Sequence, residues 1–130
     1  MTKIELSGGP EAVAAARHAI EELAVRHDLP RVDDLRLLVS ELVTNSVLHG
    51  GAGTGDRVEL RVRRPNSIVR VEVIDGGDSW AETLRSTALD SDQPAGGWGL
   101  MLVRALADRW GVESDGGTCV WFELTPEAAH

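Results

Sequence analysis

The sequence predicts a single α+β domain, and three observations predict it. A length of 130 residues with 42% hydrophobic residues is enough for one ordinary core and little more. Two pairs of alternating segments, 58–62 with 68–74 and 111–114 with 118–124, are each joined by a short turn sequence and read as hairpins. Three further stretches carry apolar residues at helical spacing.

In chain order, Lys3–Ser7 alternates as a short strand would, and Gly8-Gly9-Pro10 breaks the chain before a helical stretch reaching about His27. Ala12, Val13, Ala16, Ile20, Leu23 and Ala24 form its apolar stripe. Leu29-Pro30 separates it from a second helix, begun near Val32-Asp33-Asp34 with acidic residues suited to the positive helix end and stopped by Gly50-Gly51. The glycine-rich break Gly50–Gly55 leads into the first hairpin, which turns at Pro65-Asn66-Ser67. Residues 78–96 have little periodicity beyond Leu84 and Leu89, which suggest a short helix; a stretch that long in a small domain reads as a lid. Gly96-Gly97-Trp98-Gly99 opens a third helix over Leu100–Trp110, with Leu102, Val103, Leu106 and Trp110 inward and Gly111 ending it. The last hairpin turns at Asp115-Gly116-Gly117, and the tail from 125 to 130 is expected to fray.

Composition narrows the function. A net charge of −8 disfavours nucleic acid and anionic membranes as partners, since both select basic patches. Arg61, Arg63 and Arg64 are the one basic cluster and suit the solvent side of a strand. Cys119 is the single cysteine, so an intrachain disulfide is impossible and a structural zinc site unsupported; it reads as a packed strand residue. Neither a signal-peptide core nor a membrane-length apolar run is present, and a cytoplasmic location is expected.

Glu41, Asn45 and His49 recur at a spacing of four, which sets them one above another on the second helix, apart from Leu38, Leu42, Val43 and Val47 on the core side. Thr44-Asn45-Ser46 are three mediocre helix formers in mid-helix, where a merely solvated face would favour Ala, Glu or Lys. Asn offers Mg²⁺ a neutral oxygen, and a Glu one turn away can take a proton from a nucleophile attacking phosphorus. Asp75 ends a strand before Gly76 and Gly77, where a carboxylate can accept a hydrogen bond from the exocyclic amine of adenine; Asp-Gly-Gly is also a common turn. Gly97-Trp98-Gly99-Leu100 can present backbone N–H groups to phosphate oxygens, or be a tight turn. Thr118, opening the last strand, can support the same base through its hydroxyl. The dinucleotide fingerprint and the Walker A lysine motif are both missing.

In order along roughly residues 32–124, these four elements resemble the GHKL ATPases, the superfamily of gyrase, Hsp90, histidine kinases and MutL. Glu41-x-x-x-Asn45-x-x-x-His49 looks like the N box, Asp75-Gly76-Gly77 and Gly97-Trp98-Gly99-Leu100 like the two glycine boxes, and Gly117-Thr118 like the threonine element. The resemblance implies a two-layer α/β sandwich of the Bergerat type, with a mixed, mostly antiparallel sheet covered on one face by helices. It implies ATP and Mg²⁺ as cofactors, Glu41 as general base, Asn45 as Mg²⁺ ligand, and Asp75 with Thr118 as readers of adenine. Gly97, Trp98, Gly99 and Leu100 would line the phosphates, with His49 and Gly77 completing the binding set, and residues 78–96 would be the ATP lid. One departure is Ser79, which stands where the first glycine box has its second glycine. Another is the lid's sole basic residue, Arg85; Arg104 is a second candidate for the γ-phosphate, though its place on its helix suits solvent.

Within the superfamily the chain looks most like the bacterial anti-sigma-factor serine/threonine kinases. Large members need further domains, and a histidine kinase needs a phosphoacceptor hairpin, whereas about thirty residues precede the second helix, and His18 and His27 on the first helix read as surface groups. The resemblance implies a sigma factor and a STAS-type anti-anti-sigma protein as partners, with the latter phosphorylated on serine or threonine. It also implies a homodimer, formed through residues 1–31. The alternative is a nucleotide-gated regulator that sequesters a partner without transferring phosphate.

Overall fold

The computed structural model describes residues 1–48, 57–75, 100–114 and 117–126. Among the described residues there are five strands and three α-helices: β1 (Thr2–Ser7), α1 (Glu11–His27), α2 (Val32–Leu48), β2 (Arg57–Arg63), β3 (Val69–Asp75), α3 (Leu100–Leu106), β4 (Arg109–Ser114) and β5 (Thr118–Leu124). The strands form one open sheet in the order β1-β2-β3-β5-β4. Every pairing is antiparallel, so the expected mixed sheet is not found among the described strands. The helices lie on one face, as a two-layer α+β architecture requires.

Alternation decides which face is covered. Val58, Leu60 and Val62 on β2, Val69, Val71 and Val73 on β3, and Val120, Phe122 and Leu124 on β5 are all buried, and they share one core with Ile20, Leu38, Leu42 and Val103 of the helices. The apolar stripe of α1 is buried as its periodicity predicts, with Val13 at its margin. α2 is the middle helix of the layer, contacting α1, α3 and β3. At the end of α1, Asp28 adopts φ 52°, the Leu29 N–H donates to the Ala24 carbonyl at 3.1 Å, and Arg64 donates to the carbonyls of His27 (3.0 Å) and Asp28 (3.2 Å). The Ala24 and His27 carbonyls of the last turn thereby gain partners.

The other sheet face is a lattice of charges. Glu72, nearly buried, receives Arg70 at 2.9 Å and Arg63 at 3.3 Å, while Arg70 also reaches Glu123 at 3.0 Å and Arg61 pairs with Glu59. The Arg70 guanidinium lies 4.0 Å from the Trp121 ring centre. The basic cluster seen in the sequence is therefore matched locally by carboxylates, and Arg64 belongs to the helix end rather than to the sheet face. Cys119 is half-buried here, and burial, foremost, pushes its thiol up to about 11, so it stays protonated at neutral pH.

The third helix is shorter than its pattern predicts. It ends at Leu106 instead of Trp110, and β4 starts at Arg109 instead of Gly111. The Asp108 N–H donates to the Glu123 carbonyl at 3.0 Å, which draws the chain into the sheet beside β5. Trp110 and Val112 then face the core as alternate strand residues, so Trp110 points inward on either period. The tail expected to fray from 125 is anchored at its first residue, because Thr125 donates from its backbone N–H to Asp108 at 2.8 Å.

Gly111, in place of ending a helix, sits in mid-strand opposite Trp121, and a Cβ there would lie 2.8 Å from the ring. Strand propensity alone favours Val at such a position. Arg70 against the ring limits how far it can move aside, so we expect Gly111→Val to lower stability by about 1–3 kcal/mol. Urea unfolding measures this, and an unchanged midpoint would mean that the ring yields.

Candidate functional site

The buried polar side chains mark the candidate site. Among the described residues these are Asn45, Ser46, Glu72, Asp75, Thr118 and Glu123. Glu72 and Glu123 are accounted for by arginines of the open face. The other four lie on the C-terminal half of α2, the end of β3 and the start of β5, which are elements the sequence singles out.

Asp75 and Thr118 are direct partners across the β3–β5 ladder, each 1% exposed, on the face that meets the helices. Their register makes them neighbours although 43 positions apart in the chain, from Asp75 to Thr118. Asp75 is also opposite Val58, so its backbone is held on both sides. A buried carboxylate and a buried hydroxyl thus stand opposite each other at one end of a sheet face whose other buried residues are apolar.

On α2, Thr44 and Ser40 are spent on their own helix, donating to the carbonyls of Ser40 (2.6 Å) and Arg36 (2.7 Å). Asn45 is not. It is 4% exposed, and its Nδ2 has no hydrogen-bond partner among the described residues. The stripe reading sets Asn45 on a cleft wall, and in the structure its side chain is enclosed. An unpartnered buried amide costs about 1–3 kcal/mol, which a ligand that engages it would recover. Ser46, at 2%, is a second enclosed polar group that sequence reasoning treats only as a weak helix former. Glu41, one turn before Asn45, is half-buried and has no ion-pair partner among the described residues, leaving its carboxylate available as a base. Leu100, 3% exposed, opens α3, whose Arg104 is exposed as expected. His49, Gly77, Gly97, Trp98 and Gly99, with the lid, Arg85 and Ser79, lie outside the described residues.

The donor set fits a magnesium ion carried by a phosphate ligand. Among the described residues no cluster of three acidic, histidine or cysteine side chains could hold a metal alone. Mg²⁺ commonly takes only one or two protein ligands beside phosphates and water, and a neutral Asn oxygen is compatible with that.

Residues 6–124 match the family described as the histidine kinase-like ATPase domain. The chain belongs to that family. Membership places it among ATPase-type domains, whose work is ATP-dependent. Solved structures of the catalytic domain of the histidine kinase ThkA, in three nucleotide-free crystal forms, superpose with a TM-score of 0.63. They are 18%, 15% and 16% identical, cover 97% of this chain, and are themselves covered over 97%, 97% and 99%. At that identity the likeness establishes the fold, in agreement with the Bergerat-type expectation. No curated protein sequence matches the chain. Among the described residues no helix is long and apolar enough to cross a membrane.

Proposed function

We propose that this histidine kinase-like ATPase domain binds ATP with Mg²⁺ and phosphorylates a serine or threonine of a small STAS-type anti-anti-sigma protein, while holding a sigma factor when that competitor is absent. Two observations support the nucleotide reading: Asp75 and Thr118 are buried polar partners across the β3–β5 ladder, and α2, which packs on β3, carries Asn45, a third buried polar side chain with an unpartnered amide. The partner classes rest on the resemblance of residues 41–50 and of the chain's element order to the anti-sigma kinases.

In this reading the Asp75 carboxylate accepts a hydrogen bond from the adenine amine and Thr118 supports the same edge. Asn45 would hold Mg²⁺, which offsets charge on the phosphates when bound. Glu41 takes the proton from the substrate hydroxyl as its oxygen bonds to the γ-phosphorus, and the bond to the β–γ bridging oxygen breaks to release ADP.

Calorimetric titration with ATP, ADP and GTP, each with and without Mg²⁺, tests the nucleotide reading. Adenine-selective binding strengthened by Mg²⁺ is expected; no binding at millimolar ATP would overturn it. Asn45→Ala should bind ATP with little response to Mg²⁺, and a wild-type response would remove Asn45 as the ligand. Transfer of labelled phosphate to candidate STAS-type proteins then tests the kinase and partner reading; if ATP binds but nothing is phosphorylated, a nucleotide-gated binding module is the better account.

A further inference from the structure

Arg31 breaks two local rules. It has φ 56°, a left-handed backbone that non-glycine residues seldom adopt, and its carbonyl accepts the first helical bond of α2 from the Leu35 N–H at 3.0 Å, placing an arginine where Ser, Thr, Asn or Asp is the usual cap. Strained positions that also defy propensity persist when the surroundings hold them, and here the side chain is the holder.

The Arg31 side chain is only 9% exposed, and its guanidinium is shared among three parts of the fold. Nε donates to Asp34 at 3.0 Å on α2, Nη2 to the Leu106 carbonyl at 3.1 Å at the end of α3, and Nη1 to Asp108 at 3.2 Å and the Thr125 carbonyl at 3.4 Å. Asp108 in turn accepts from the Thr125 backbone N–H and hydroxyl. Those bonds, the backbone one foremost and Arg31 after it, hold the Asp108 carboxyl below its ordinary 3.8, so the clasp keeps its anion at neutral pH. One residue thus joins the start of α2 to the end of α3.

We propose that Arg31 is a positioning residue for the phosphate side of the site, fixing α3 against α2. The inference rests on the nucleotide reading above. α2 carries Glu41 and Asn45, and α3 opens at the buried Leu100, which the resemblance sets along the phosphates. With seven residues, α3 is about 10 Å long and too short to persist without tertiary support. The base-reading pair, Asp75 and Thr118, is paired within the sheet, and Thr118 stands at the opposite end of β5 from the Thr125 that the clasp holds.

That difference gives the test. Arg31→Met removes every donor, and Arg31→Lys keeps the charge without the planar fork. Each is compared with the wild type for ATP, by calorimetry with Mg²⁺, and for adenosine, by amide shifts around Thr118 in nuclear magnetic resonance, at a temperature where circular dichroism shows full folding. We expect both variants to lose about tenfold or more in ATP affinity while adenosine affinity changes less than twofold. If an Arg31 variant does not fold, Asp108→Asn, which keeps the shape and weakens the clasp, should show the same selective loss at about threefold. Equal loss for both ligands, or no loss, overturns the positioning role and leaves the nucleotide reading standing. A wild type that binds neither ligand overturns both.

Discussion

Glu41→Gln is expected to leave ATP affinity within about twofold of the wild type and to slow phosphoryl transfer by about 10²–10⁴-fold, the usual contribution of a positioned base. The substitution keeps the shape of the side chain and removes its basicity. Glu41 is half-buried in the second half of α2, and with no ion-pair partner among the described residues its loss leaves no buried charge stranded. The enclosed Asn45 one turn on should therefore keep its place, which confines the effect to the chemical step. A single-turnover assay with labelled ATP, using a STAS-type acceptor or water until one is in hand, separates that step from binding. A variant that transfers phosphate at the wild-type rate would remove Glu41 from the mechanism. One that also fails to bind ATP would mean that the carboxylate serves the ligand, not the reaction.

The same helix shows what a sequence can and cannot disclose. The four-residue spacing of Glu41 and Asn45 places them on one stripe, and the weak helix formers around them mark that stripe as chosen for something other than helix stability. The enclosure of Asn45 is not visible in that spacing, because burial depends on tertiary packing rather than on the period of the helix. Likewise the hairpins were legible from alternation and turn residues, and Asn66 and Ser67 take the positive φ values that their turn suggests. The boundary between α3 and β4 was not, since Leu102, Val103, Leu106 and Trp110 satisfy a helical period while Trp110 and Val112 satisfy a strand period equally well. A tertiary hydrogen bond from Asp108 to Glu123 settles it.

Gly111 and Arg31 fail for a shared reason. Each is explained by a partner distant in the chain, Trp121 for the glycine and Leu106, Asp108 and Thr125 for the arginine. A glycine after a helical run reads as a helix stop, and nothing in the pattern around Leu29-Pro30 singles out Arg31. The one local hint was Asp34 three positions on, a spacing that brings the pair together once α2 forms. Three of the four residues expected to line the phosphates, Gly97, Trp98 and Gly99, lie outside the described residues, so the base-reading side of the site carries the structural argument.

That side makes the second large prediction. Asp75→Asn is expected to weaken ATP binding by about 10–100-fold, because hydrogen bonds to a charged group contribute about 1.5–3 kcal/mol and each 1.4 kcal/mol is tenfold. Asp75 faces the helices from a strand end held on both sides, opposite Val58 and Thr118, so the backbone cannot shift to rescue the contact. The carboxylate only accepts hydrogen bonds and so matches the amine of adenine but not the carbonyl that guanine has in its place. Asparagine offers both an oxygen and an NH₂, and the preference for ATP over GTP should shrink along with the affinity. Thr118→Val should lower ATP affinity in the same direction by less, since a neutral hydrogen bond contributes about 0.5–1.5 kcal/mol. Competition calorimetry with the two nucleotides reads both effects. Retention of full affinity and selectivity in Asp75→Asn would place the base away from the β3–β5 pair, and the buried carboxylate would then need a structural account of its own.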